Sequence, residues 1–168
     1  MEKYEVFVCY RKDESEALAC LIIEKLKQRG FSVLSDVELL RAGMSNADII
    51  KVLEESNDVL VVLPNNGLVD CNNNNDSMCV EIAKAISVQK NIISILMRNY
   101  SFPDSFPDEI AALGDCFSIT VDMECFDIVI EKLVSLLHTQ KRIENENEEI
   151  KATARNYLNH FKERYRLT

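Results

Sequence analysis

The run DVLVVL (58–63) places five apolar residues in succession after one aspartate. A strand with one wet face alternates apolar and polar residues, whereas a strand covered on both faces has no need to. The run therefore predicts an interior strand of a sheet packed on both sides. Four more runs have the same character: YEVFVC (4–9), FSVLS (31–35), NIISILM (91–97) and CFSIT (116–120).

Helical patterns lie between these runs. Residues 14–29 carry Leu18, Leu21, Ile22 and Leu26 on one stripe, with Asp13 and Glu16 spaced as a capping box and Gly30 placed to end the helix. A second helix is expected from Asn46, burying Ile49, Ile50 and Leu53, and a third from Asp76 with the stripe Met78, Ile82, Ala85 and Ile86. The connection NYSFPDSFPDEIAALGD (99–115) holds two prolines and leaves room only for a short helix over 107–113. The last helix of the domain, 126–137, buries Ile130, Leu133, Val134 and Leu137.

Strands alternating with helices require each crossover to return the chain to the same edge direction, which gives a parallel sheet. The expected fold is α/β, a doubly wound, flavodoxin-like five-stranded parallel sheet with helices on both faces. Residues 1–138 form that domain, and 139–168 a charged amphipathic C-terminal helix or linker. In the latter, Ile143, Ile150, Ala154, Tyr157, Phe161 and Tyr165 recur at helical spacing. Two uses suit such a helix: packing on the domain or leading beyond it, and self-association.

The 168 residues suit one domain. The net charge of −9 repels nucleic acid and anionic membranes. No segment approaches the roughly 18 apolar residues of a membrane span, and Met1-Glu2-Lys3-Tyr4 runs straight into a strand pattern without a secretory signal, so a cytoplasmic protein is expected. Four of the six cysteines, Cys9, Cys20, Cys79 and Cys116, fall in apolar patterns, and all six are expected as free thiols. His138 and His160 are not spaced with cysteines as a zinc site is, so no metal is expected. The run Asn72 to Asn75 reads as a polar linker before Asp76 as N-cap.

Open α/β sheets bind ligands beyond the carboxyl ends of their strands, near the point where strand order reverses. This selects the loops Tyr10-Arg11-Lys12-Asp13, Ser35-Asp36-Val37-Glu38 and Pro64-Asn65-Asn66-Gly67, and the helix bearing Glu81. Glu81 lies at the edge of its helix's apolar stripe, with Ser77 one turn earlier on the same side. On position alone such a glutamate is a solvated charge. There is no GxxxxGK or GxGxxG, and VVLPNN lacks the strand-end aspartate of a phosphoacceptor.

The succession VFVCYRK, GFSVLSDVELLRAG, VLVVLPNNGLVDC, DSMCVEIAKAI, KNIISILM and FP resembles a TIR (Toll/interleukin-receptor) domain over about 4–137. It looks most like the bacterial NAD-consuming branch of that family. The resemblance implies that Glu81, opening the E-I-x-x-A stretch with Ile82 and Ala85, is the catalytic residue. It also implies that Tyr10, Arg11 and Lys12 match a SYRR motif meeting the NAD+ pyrophosphate. The loop 35–46, with Ser35, Asp36, Glu38 and Gly43, then corresponds to the family's pocket-gating BB loop, which completes a neighbour's site on assembly.

The implied reaction is cleavage of the nicotinamide–ribose bond of NAD+, which is substrate and not cofactor, to nicotinamide and ADP-ribose or a cyclic isomer. Homotypic TIR–TIR self-assembly, a downstream effector that senses the product, and a role in antiphage or cell-suicide signalling go with it. Two positions depart from the relatives: Ser77 and Val121 stand where they carry a pocket-wall tryptophan and a stacking aromatic. The missing tryptophan favours the rival reading, a non-catalytic TIR interaction module, and the retained Glu81, Tyr10, Arg11, Asp36 and Glu38 oppose it.

Overall fold

The computed structural model describes residues 4–12, 14–68, 71 and 76–165, without the side chains of 140–144, 161–163 and 165. Its sheet is parallel throughout, with β1 (Val6–Tyr10), β2 (Val33–Ser35), β3 (Asp58–Leu63), β4 (Asn91–Leu96) and β5 (Phe117–Thr120) in the spatial order β2-β1-β3-β4-β5. All six residues of β3 are buried, as an uninterrupted apolar run requires.

Pleating divides β1 between two cores. Val6, Val8 and Tyr10 face α1 (Glu16–Gln28) and α5 (Phe126–Leu136). Phe7 and Cys9 face α3 (Asn46–Glu55) and α4 (Ser77–Ser87). α1 stops where Gly30 adopts φ +88°, letting Phe31 N–H reach Leu26 O at 3.1 Å and Gly30 N–H reach Lys27 O at 2.9 Å. Residues 108–115, where the short helix over 107–113 is expected, form a 3-10 helix.

Three expectations need correction. Ser35 to Asn46 is not loop throughout: Asp36–Arg41 forms a helix, α2, closed by a capping box in which Ser35 Oγ accepts from Glu38 N–H at 3.2 Å and the Glu38 carboxylate from Ser35 N–H at 3.0 Å. The N-cap of α1 is Ser15, whose Oγ is spent on Arg11 N–H and Arg11 O, both at 3.1 Å; Asp13 lies outside the described residues. Finally, the cysteines are not all free, since Cys71 and Cys79 form a disulfide across Cα atoms 5.5 Å apart. The chain leaving β3 turns back onto the first turn of α4, a proximity that an apolar helix pattern does not reveal. Asn72 to Asn75 lie outside the described residues.

Closing a loop over a sequence separation of eight stabilises chiefly by restricting the unfolded chain. Cys71→Ser is expected to cost about 2 kcal/mol. Denaturant melts should show this gap in oxidising buffer and lose it in reducing buffer; equal midpoints in both would contradict it.

α6 (His138–Tyr165) begins at the opposite, amino end of the sheet. The fully buried Asp58 caps it, accepting from His138 N–H at 2.9 Å, Thr139 N–H at 3.2 Å and Thr139 Oγ1–H at 3.0 Å. Asn91 Nδ2 donates to the same carboxylate at 2.6 Å. The helix base is thus fixed to two strands, while residues 145–160 are exposed on every side.

Candidate active site

In chain order the sheet grows from β1 to the edge strand β2, then crosses back to place β3 on the other side of β1. Strand order therefore reverses between β1 and β3, which in open α/β sheets marks the ligand crevice beyond the strands' carboxyl ends, here flanked by the starts of α2 and α4. Glu81 reaches this place from α4, beside Cys9 and Asp36, and is 4% exposed. Asp36, the first residue of α2, is 4% exposed.

These carboxyls face each other in a dry place, and both titrate far from their ordinary range. Burial, then the charge of Asp36, pushes Glu81 up to about 8, offset in part by the Cys9 thiol donating a hydrogen bond to it. Burial pushes Asp36 up to about 7, while the backbone N–H groups of Val37, Asp36 and Tyr10 pull the other way. Two neighbouring acids that resist ionisation do not both carry charge near neutrality, so the pair keeps a proton there.

Tyr10 borders the pair. Burial raises its phenol to about 12, and a hydrogen bond with Ser35 opposes that rise. Arg11 closes the crevice mouth: Nε donates to Gly67 O at 2.9 Å and Nη1 to Asp76 Oδ2 at 2.8 Å. Asp76 Oδ1 accepts from Cys79 N–H at 3.1 Å, capping α4, so one carboxylate joins the β1 loop, the β3 loop and the catalytic-candidate helix. Three buried polar atoms here lack a partner: Glu81 Oε2, Asp36 Oδ1 and Arg11 Nη2. Leaving such atoms unpaired costs roughly 1–3 kcal/mol each, which is expected where a ligand completes the hydrogen bonding.

The structure thus brings Glu81 and Asp36 together, with the Tyr10 backbone and Ser35 beside Asp36 and Arg11 on Asp76 at the start of the Glu81 helix, while the Tyr10 side chain lies on the sheet's other face. Lys12 and Ser77 are exposed at the periphery, with Ser77 opening α4. Glu38 is turned to other work, in the capping box and in an ion pair with Lys27 at 3.3 Å. Sequence reading missed Cys9 as a neighbour of Glu81, although strand alternation places it on the α4 face. The expectation of no metal meets one donor cluster among the described residues: Cys71, Asp76 and Cys79 bring ligand atoms within 4.8 Å of one another. There both sulfurs are consumed by their mutual bond, and Asp76 by Arg11 and Cys79 N–H.

Among the described residues no helix is long and apolar enough to cross a membrane. No family model matches the chain. Curated relatives do: the NAD(+) hydrolase SARM1 of Danio rerio is 31% identical over 138 residues, 79% of this chain and 19% of that protein. The NAD(+) hydrolase tir-1 of Caenorhabditis elegans is 32% identical over 115 residues, 65% of this chain and 12% of its own. The Drosophila melanogaster NAD(+) hydrolase sarm1 is 29% identical over 83% of this chain and 11% of its own. The chain spans a fifth or less of these relatives.

Among solved structures, the TIR domain of the Toll-related receptor TRR-2 from Hydra magnipapillata superposes with a TM-score of 0.53 at 21% identity, over 78% of this chain and 94% of that one. A TIR-STING receptor from C. gigas gives 0.54 at 16% identity, over 76% and 38%. The strand order, the crevice at the β1–β3 switch and likeness to NAD(+) hydrolases over most of its length make this chain a member of the TIR-domain family.

Proposed function

We propose that this TIR domain cleaves the nicotinamide–ribose bond of NAD+, with Glu81 as the catalytic carboxylate. The observation that carries the reading is Glu81 itself, a buried helix carboxylate with an unpartnered Oε2 beside Asp36 at the switch-point crevice. When the C–N bond breaks, its electron pair leaves with nicotinamide, which becomes neutral and needs no proton. The ribosyl centre becomes a cation, and an ionised carboxylate held in a poorly solvated site stabilises that charge while its oxygens accept from the ribose hydroxyls. Water then captures the cation and releases a proton, giving ADP-ribose; capture by a ring nitrogen of the same adenine gives a cyclic isomer instead. NAD+ is consumed as substrate, and no step calls for a cofactor.

Arg11 Nη2 and Lys12 at the mouth supply cationic donors for the pyrophosphate. Because Glu81 is 4% exposed, substrate entry requires the crevice to open, and the α2–α3 connection, where Gly43 takes φ +82°, is the segment built to bend. Self-assembly through this segment, a cytoplasmic setting, a product-sensing effector and a role in antiphage or cell-suicide signalling belong to the same reading. The second reading, a non-catalytic interaction module, is favoured by Ser77 and Val121, which offer no ring to stack on the ligand.

Concentrated protein incubated with NAD+ and analysed by chromatography separates the two. Release of nicotinamide together with ADP-ribose or its cyclic isomer supports the enzyme; intact NAD+ at all protein concentrations supports the module.

A further inference from the structure

We infer that α6 is a self-recognition element that pairs antiparallel with α6 of a second copy of this chain, crossing near Ala154. Four observations lead there. The helix base is held by Asp58, so its direction is set by the sheet. Beyond the base, Ile150, Tyr157 and Leu158 are 66%, 77% and 59% exposed. With Thr153 and Ala154 they fall at helical spacing on one face and are not covered by the domain.

The small residues Thr153 and Ala154 sit at the middle of that face, where two helix backbones crossing closely meet little bulk. Lastly, charge is segregated along the helix: beyond Lys141 and Arg142 near its base, residues 144–149 carry four glutamates and no cation, while 151–165 carry four Lys or Arg and one glutamate.

Charge segregation decides the occupant and its direction. A parallel second copy would set acid against acid and base against base. An antiparallel copy crossing at Ala154 sets each acidic segment against the other's basic one, and Ile150 of each against Tyr157 and Leu158 of the other. A nucleic-acid or anionic-membrane partner would meet the acidic half and be repelled.

Sedimentation equilibrium should find twice the 19.2 kDa chain mass. Ile150→Asp with Leu158→Asp should yield monomer with unchanged near-ultraviolet circular dichroism. Charge reversal at Glu148 and Glu149 to Lys, or at Arg155 and Arg164 to Glu, should each weaken dimerisation at least about tenfold, and combining the two sets should restore it. In a Cys20→Ser, Cys125→Ser background, Ala154→Cys should cross-link on mild oxidation. Glu146→Cys should not, because sixteen residue steps of 1.5 Å put the two copies about 24 Å apart. A monomer at every concentration, or equal cross-linking at 146 and 154, would overturn the proposal. None of these measurements depends on NAD+ cleavage.

Discussion

Glu81→Gln is expected to lower the rate of nicotinamide release by about a thousandfold while leaving the fold intact. The change keeps shape and hydrogen-bonding reach and removes only the negative charge, so the loss measures the charge's effect on the ribosyl cation. Substrate affinity should move far less, because the nicotinamide ring of bound NAD+ already carries its positive charge in the ground state. What the carboxylate adds is complementarity to the charge that migrates onto the sugar. In the wild type, activity should rise from pH 6 to pH 8 as the Glu81–Asp36 pair gives up its shared proton. A variant retaining more than a tenth of the wild-type rate would remove Glu81 from its role.

The second expectation concerns stability and has the opposite sign. Burial raises Glu81 from 4.5 to about 8, so the folded state favours its protonated form. That preference stabilises fully below the unfolded value and is lost as pH rises through the folded one. Glutamine carries no ionisation to lose. Glu81→Gln should therefore melt close to wild type at pH 4.5 and be more stable by about 2–5 kcal/mol at pH 8, a shift on the order of 5 °C or more. Paired thermal melts at the two pH values test this; a variant less stable than wild type at pH 8 would show that the charged carboxylate is already satisfied in the fold. A residue that costs stability and carries activity is the pattern of a site shaped for function.

Much of this was readable from residue order. Five β-branched runs separated by helical stripes dictate the parallel sheet, and the parallel sheet dictates that ligand chemistry gathers at the β1–β3 reversal. What pattern reading missed was short or non-local. α2 spans six residues, less than two full turns, so periodicity cannot announce it, yet Ser35-x-x-Glu38 is itself a capping-box signature. The disulfide depends on a chain reversal, and cysteine connectivity is not written in spacing. Asp36 and Glu81 stand 45 positions apart, and their coupling exists only because the chain crosses from one sheet edge to the other side of β1.

The Cys71–Cys79 bond also decides which wall of the crevice is able to retreat. Cys79 lies two residues before Glu81, and the same first turn of α4 is held by Asp76 to Arg11. The wall that carries the catalytic candidate is therefore stapled covalently on one side and ionically on the other, and β1 is fixed between β2 and β3. On the proposed NAD+ cleavage, admission of the dinucleotide then falls to the remaining boundary, the short α2 with its glycine-ended turn, and Glu81 is the anvil that stays in place while the facing wall moves.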